Sequence, residues 1–294
     1  MNMVLTLIVN PQNSEALKSA EEKARVALPA LGPTHELAPG EAVDMTYAGD
    51  AAEAREKLAS ALEGMPVDWA LQEAHGRKKK LFLADMDSTM ITVECIDELA
   101  DFAGIKEHVA KITEAAMRGE LDFEGALTER VALLKGLPLE TLARCYNERI
   151  EIMSGARTLV RTMKAAGARA VLVSGGFTYF TEKVAAEIGF DMHRANVLLT
   201  SGDALAGTVQ MPICGAHTKL DTLKEQADAL GYTHTDVLAV GDGANDIPMI
   251  QAAGLGVAYH AKPKTAAAAQ VAVNHNDLTA LLYLQGYSKD EFVS

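Results

Sequence analysis

The chain has 294 residues, 49% of them hydrophobic, which is enough for one large domain or two ordinary ones and excludes a disordered chain. Its formal net charge of −13 argues against a general nucleic-acid binder, which needs a basic footprint. Three widely spaced cysteines, Cys95, Cys145 and Cys214, with no CxxC, argue against a disulfide framework or structural zinc and fit reduced thiols in the cytoplasm.

The apolar start, residues 3–9, reads as a strand. It is too short to span a bilayer and lacks the basic lead and cleavage site of a signal peptide. No later stretch is long and apolar enough for a membrane helix, so no membrane association is expected. A helix is predicted over 14–28, extended pieces near 34–37 and 41–47, a second helix over 51–62 and a strand over 68–73. The order βαββαβ is that of a small α+β ferredoxin-like domain, assigned to residues 1–76. The run 77-RKKK-80 reads as a solvated linker or the start of a strand. With no aromatic residues interleaved, it is a poor nucleic-acid patch.

Residues 77–294 follow another pattern. Leu81–Ala84 reads as a buried strand that runs straight into Asp85 and Asp87. A helical block over about 94–150 comes next, with apolar positions such as Leu99, Val109, Ile112, Leu127 and Val131 at helical spacing. Strands at 169–174, 236–241, 256–259 and 271–273 then alternate with helices at 179–188, 219–230, 246–253 and 278–284, and a hairpin signal lies at Ser201-Gly202-Asp203. The expected fold is α/β: a Rossmann-like parallel sheet with a helical cap inserted after its first strand.

Parallel sheets bind ligands at the carboxyl ends of their strands. Three of the predicted strands end in polar sequence: 85-DMDST-89, 174-SGG-176 and 241-GDGAND-246. Each is modest alone. A DxD pair is common in solvated turns, a glycine pair often ends a strand, and GDGAND could be an ordinary turn, although it does not meet the EF-hand pattern. If the three strands are neighbours, one crevice collects several carboxylates, a hydroxyl and glycine-rich backbone. Clustered carboxylates need a positive partner. A hard ion such as Mg²⁺ suits them and joins carboxylates to phosphate. The chemistry this permits is attack by one aspartate on phosphorus, proton transfer by a second, and neutralisation of the phosphoryl oxygens by metal and lysine. Asp85, Asp87, Asp242, Ser174, Gly175 and a lysine are the residues available.

The order DxDST, SGG, lysine, GDGAND resembles the haloacid dehalogenase-like phosphohydrolases, over about residues 81–285. The detail of 85-DMDSTMITVECIDELADFAG-104, 111-KITEAAMRGELDFEGALTERVALLKGL-137, 173-VSGGF-177 and 240-VGDGANDIPMI-250 is similar to their phosphoserine phosphatase branch. The resemblance implies hydrolysis of O-phospho-L-serine through an aspartyl-phosphate, the last step of serine biosynthesis. It makes Asp85 the nucleophile and Asp87 the acid/base. Mg²⁺ would be held by Asp85 and Asp242 through carboxylates and by Asp87 through its carbonyl. Ser174, Gly175 and Lys219 would bind phosphate, Asn245 would contact the phosphoryl group or substrate, and Gly176 and Asp246 would support them. Lys219 is preferred to Lys224 because it opens the helix after 215-GAHT-218, where the resemblance places the family's lysine. In the cap, Glu94 would meet the substrate ammonium and Arg130 its carboxylate, with Met117 and Phe123 as a lid. On their residues alone, Glu94 and Arg130 read first as ordinary helix surface. Met86 stands where many relatives have phenylalanine. The N-terminal domain is similar to ACT-type modules, but its loop 10-NPQNSEAL-17 lacks the glycine of ligand-binding members. An assembly role, such as a homodimer paired through it, is therefore favoured over sensing. The alternatives are phosphoryl transfer to another alcohol and a non-catalytic amino-acid-binding regulator.

Overall fold

A computed structural model describes residues 2–117 and 120–294, the side chains of 116 and 117 excepted. The N-terminal unit runs β1 (Met3–Ile8), α1 (Ser14–Ala27), β2 (Leu31–Ala38), β3 (Ala42–Tyr47), α2 (Ala51–Ala61) and β4 (Asp68–Glu73). The strands pair antiparallel in the order β2-β3-β1-β4, the ferredoxin-like arrangement. Every residue of β1 is buried, because both faces of the sheet are covered. Leu5 and Leu7 pack with Leu17, Ala20 and Ala24 of α1 and with Ala54 and Leu58 of α2. The opposite face, with Ile8, Ala38, Ala42 and Ala70, joins the main hydrophobic core of the rest of the chain. Alternation along a strand divides the residues in this way.

The remainder begins with β5 (Leu81–Ala84). A helical cap follows: α3 (Cys95–Phe102), α4 (Lys106–Met117), α5 (Phe123–Ala132) and α6 (Glu140–Arg149). After it come α7 (Ala156–Ala165), β6 (Arg169–Phe177), α8 (Thr178–Ile188), β7 (Met192–Asn196), β8 (Leu198–Ser201), β9 (Ala204–Val209) and α9 (Ala216–Leu230). The chain ends with β10 (Val237–Gly241), α10 (Ile247–Ala252), β11 (Leu255–Tyr259), α11 (Pro263–Ala268), β12 (Val271–Val273) and α12 (Ala280–Leu284). Six strands form one parallel sheet in the order β12-β11-β10-β5-β6-β7. The three strands with polar ends, β10, β5 and β6, are therefore neighbours at its centre.

Two helices lie where sequence patterning assigned none. In α7, Leu159, Val160 and Met163 are buried, and Gly155 at its start has φ 79°. In α11, Pro263 opens a short turn in an alanine-rich stretch that carries little periodic signal. The basic run also divides unexpectedly. Arg77 is no solvated linker residue: its guanidinium pairs with Asp44 and donates to Thr6 Oγ1 and to the carbonyls of Tyr283 and Leu284. Lys78 and Lys80 face outward, paired with Glu291 and Asp236.

The cap joins the core through two crossing segments. Ile91 bridges Ile152, Thr92 N–H donates to Glu151 O, and Met153 N–H donates to Met90 O at 2.9 Å. The β8–β9 hairpin stands apart from the main sheet and is tied to the cap, with Gly136 N–H donating to Leu205 O and Leu205 N–H to Leu137 O. Among the described residues, no helix is long and apolar enough to cross a membrane.

Candidate active site

Buried apolar side chains on β5, β6 and β10 fix the strands, and the polar residues follow directly at their carboxyl ends. Asp85 N–H donates to Val240 O at 3.1 Å, which continues the sheet for one residue and brings the Asp85 and Asp242 loops together. The chain then turns sharply. Ser88 has φ 53°, and Met86 O accepts from the N–H groups of Thr89, Met90 and Ile91. That turn lets Asp87 face the site independently of strand alternation.

Asp85 Oδ1 accepts from its neighbour Met86 N–H at 2.7 Å and lies 2.7 Å from Lys219 Nζ. The same ammonium is 2.6 Å from Asp246 Oδ1, while Asp246 Oδ2 accepts from Gly243 N–H at 3.0 Å. Lys219 is fully buried, whereas Lys224 on the same helix is exposed. Burial opposes the charge on Lys219, but Asp246 and Asp85 more than reverse this and raise its pKa. Asp85 stands well above the usual carboxylate range, through burial and the Asp246 charge, which Lys219 only partly offsets. Asp242 is pushed up to about 6 by burial and by the charges of Asp246 and Glu94. Asp85, Asp242 and Asp246 each offer an oxygen within 4.8 Å of the others, a set that could hold a metal ion. All donors are carboxylate oxygens, which suits a hard divalent cation. The Asp87 carboxylate is not part of that group.

Asp87 Oδ1 accepts from Cys95 N–H at 3.0 Å, and Oδ2 lies 3.4 Å from Ser174 Oγ. Burial and the nearby Glu94 charge push its pKa up to about 7. Ser174 Oγ accepts from Gly176 N–H at 2.8 Å. A Cβ on Gly176 would meet Asp87 Oδ2 at 2.6 Å, so only glycine permits this approach. Gly175 lies under the cap: its Cβ would be 2.8 Å from Phe123 Cζ and 3.8 Å from Asn245 Nδ2. Phe123 also approaches Gly215, just before α9, so one cap ring covers two loops of the core.

Glu94 caps the start of α3 and accepts from Ser88 Oγ at 2.7 Å. Arg130, half-buried on α5, donates its Nε–H to Ala126 O at 3.2 Å. Burial lowers its pKa, and the charges of Asp97, Glu94 and Asp87 work the other way. Thus Glu94 and Phe123 lie against the strand-end loops, and the charges of Glu94 and Asp87 reach Arg130. Met117 closes α4, and its side chain lies outside the described residues.

Several contributors escaped sequence reasoning. Thr89 Oγ1 donates to Asp242 Oδ1 at 3.3 Å, and Ser88 orients Glu94. Asn196, buried at the end of β7, donates to the carbonyls of Gly175 and Cys214 and accepts from Cys214 N–H at 2.7 Å. It ties the glycine loop to the segment leading into α9. Its one sequence signal was a polar residue at the carboxyl end of a strand.

Residues 82–251 match the haloacid dehalogenase-like hydrolase family. A protein from Polaromonas sp. named phosphoserine phosphatase is 46% identical over 226 residues, covering 75% of this chain and 96% of that one. The unliganded structure of a probable phosphoserine phosphatase from Vibrio cholerae is similar with a TM-score of 0.77 at 34% identity, over 98% of this chain and 88% of that chain. A structure described as a phospho-aspartyl intermediate analogue of phosphoserine phosphatase has a TM-score of 0.66 at 40% identity, over 70% of this chain and 98% of that one.

Proposed function

The chain belongs to the haloacid dehalogenase-like hydrolases, and we propose that it hydrolyses O-phospho-L-serine to L-serine and phosphate through an aspartyl-phosphate on Asp85. The observation that carries this reading is a pair of buried aspartates with different partners: Asp85 against the Lys219 ammonium, Asp87 against Ser174 and the cap. The similarity of the cap sequence to phosphoserine phosphatases supplies the substrate.

In the proposed reaction, the Lys219 ammonium partly offsets the burial that opposes ionisation of Asp85, and an Asp85 oxygen bonds to phosphorus as the bond from phosphorus to the serine oxygen breaks. Asp87, with a pKa near 7, is protonated often enough to give its proton to that departing oxygen. It then takes a proton from the water that attacks phosphorus, the Asp85–phosphorus bond breaks, and phosphate leaves. Ser174, Gly175 N–H and Lys219 hold the phosphoryl oxygens, with Asn245 beside them. Glu94 receives the substrate ammonium and Arg130 its carboxylate, the pairing that an amino acid's two ends require. Phe123 closes over the glycine loop and excludes water.

Mg²⁺ fits the oxygen donors. Asp246 already spends both oxygens on Lys219 and Gly243, and Asp85 Oδ1 faces Lys219 and Met86 N–H. Asp85 Oδ2 and the Asp242 carboxylate are then left to hold the ion, and the family resemblance adds the Asp87 carbonyl. When bound, it would offset the charge of the phosphoryl oxygens. All three cysteines are free thiols, which supports a cytoplasmic setting. A homodimer would pair through the N-terminal unit, whose β2 is an edge strand, and sedimentation velocity reports whether a dimer forms.

Colorimetric detection of phosphate released from O-phosphoserine with Mg²⁺, against the same reaction with EDTA, tests the function. Metal-dependent release is expected, and none from Asp85→Asn. Equal kcat/KM for phosphoserine and an unrelated phosphomonoester would remove the amino-acid assignment.

A further inference from the structure

Asp68 opens β4 on the edge of the N-terminal sheet and is 2% exposed. Its carboxylate accepts from the backbone N–H groups of Asn274 at 2.8 Å, His275 at 3.1 Å and Asn276 at 3.1 Å, and from Asn276 Nδ2 at 2.8 Å. Three successive backbone N–H groups converging on one anion form a nest. Here the anion is a side chain of the other unit. The segment it grips follows β12 and carries two further connections.

The first leads to the metal-ligand loop. Asn276 O is 3.0 Å from His260 Nε2, and a carbonyl can only accept, so Nε2 carries the proton. His260 has φ 43°, a conformation uncommon outside glycine, and its N–H donates to Val273 O at 2.8 Å. Two residues on, Lys262 N–H donates to Asp242 O at 3.2 Å. The second leads to the cap hinge. Ser154 Oγ donates to Asp277 Oδ2 at 2.7 Å, and Leu278 N–H donates to Ser154 O at 3.2 Å. Ser154 follows Met153, which bonds across the hinge to Met90. Gly155 is pressed on the same segment: a Cβ there would meet Thr279 N at 2.7 Å.

We propose that Asp68 is a positioning residue for the reaction: the N-terminal unit's carboxylate holds the 274–279 segment, which holds the Asp242 loop through His260 and the cap hinge through Ser154. The proposal rests on the phosphatase reading, and on Asp242 as a metal ligand in particular. It gives the N-terminal unit the work of a brace for the catalytic unit. An amide at position 68 would present one acceptor and an NH₂ group to a site lined with donors, so the nest would open.

The test uses the full chain as wild type, Asp68→Asn, His260→Asn and Ser154→Ala; asparagine at 260 tolerates the left-handed turn but shortens the donor. Backbone hydrogen exchange over 90–93, 150–155 and 258–262 is read beside the Mg²⁺ half-saturation and the kcat and KM for phosphoserine. Asp68→Asn is expected to exchange faster in all three segments and to raise the Mg²⁺ half-saturation roughly tenfold, as loss of support behind a ligand does. His260→Asn should reproduce the Mg²⁺ shift with the hinge still protected, and Ser154→Ala the hinge loosening with Mg²⁺ dependence unchanged. Folded Asp68→Asn with wild-type exchange overturns the proposal. If that variant does not fold, wild-type behaviour of both His260→Asn and Ser154→Ala overturns it. Absence of phosphate release by the wild type would count against the phosphatase reading instead, and exchange would still decide the brace.

Discussion

The backbone N–H of Cys95 donates to Asp87 Oδ1 at 3.0 Å, so the first residue of the cap's first helix aims the proposed acid/base. A cap that helps place this carboxylate links closure over substrate to readiness for proton transfer. The same enclosure strips water from Asp87.

That enclosure predicts a pH signature in the metal-free protein. Asp87 stands at about 7 in the fold, raised by burial and by Glu94, against about 3.8 for an unperturbed aspartate. Between those values the folded protein keeps a proton that the unfolded chain has lost. Stability therefore falls as pH rises across that window. Asp87→Asn removes the titration. Urea denaturation in EDTA should find the variant increasingly more stable than wild type from pH 5 to 8, with hydrolysis abolished. A stability gap that stays constant over that range would show that ionising Asp87 carries no penalty.

Metal binding should relieve part of the same strain. Asp242 sits at about 6, pushed up by burial and by Asp246 and Glu94, and a ligand must shed its proton to bind. The rise in Tm on adding Mg²⁺ is expected to be larger at pH 7.5 than at pH 5, following mass action on the folded state. Asp242→Asn should remove most of that rise at both pH values. Differential scanning fluorimetry with Mg²⁺ and with EDTA measures it.

The two-unit fold and the strand-end aspartates were legible because both rest on local patterns: periodicity and a polar break at the end of an apolar strand. Helix α7 has helical spacing in its buried Leu159, Val160 and Met163, but a short stretch between Gly155 and Gly167 reads equally as a connection from the cap to β6. Arg77 is illegible for a different reason. Its partners Asp44, Tyr283 and Leu284 are far away in sequence, and nothing in RKKK separates the anchored arginine from the outward-facing Lys78 and Lys80. Asn196 and Asp68 likewise act through backbone groups of distant segments, which side-chain patterns do not report.

Lys219 balances two carboxylates from inside the core, 2.7 Å from Asp85 and 2.6 Å from Asp246. Lys219→Met leaves both without their cation, and breaking such a buried pair costs about 3–5 kcal/mol. Loss of phosphate release and a large drop in denaturation midpoint are expected. Lys224→Met, at an exposed position, should change stability by no more than about 0.5 kcal/mol. Similar effects from the two variants would reverse the choice of lysine.

Arg130 and Glu94 are proposed to recognise the amino acid and not the phosphate. Arg130→Lys keeps the charge and loses the planar fork, so KM for phosphoserine should rise roughly tenfold or more. Turnover of a phosphomonoester without amino or carboxyl groups should change little. Glu94→Gln should behave in the same sense. Parallel losses on both substrates would place these residues in support of the core instead.

Gly176 gives the sharpest test of geometry. An added Cβ would lie 2.6 Å from Asp87 Oδ2, 3.1 Å from Ser174 Oγ and 3.3 Å from Met86 Cε. The first contact cannot persist, so Gly176→Ala must move the Asp87 carboxylate or the loop beneath it. Gly176 is absent from the left-handed region, so alanine costs the backbone little and the effect falls on the site. A displacement of about 1 Å costs on the order of 10²-fold in rate, so kcat should fall by about that factor while KM moves less. The double variant Asp87→Asn/Gly176→Ala separates cause from coincidence. If the methyl acts by displacing Asp87, adding it to a protein without the acid/base should cost almost nothing further, because the two changes remove the same interaction. Losses that multiply would mean the methyl acts elsewhere, with the Gly175 N–H, proposed to hold phosphate, the nearest alternative.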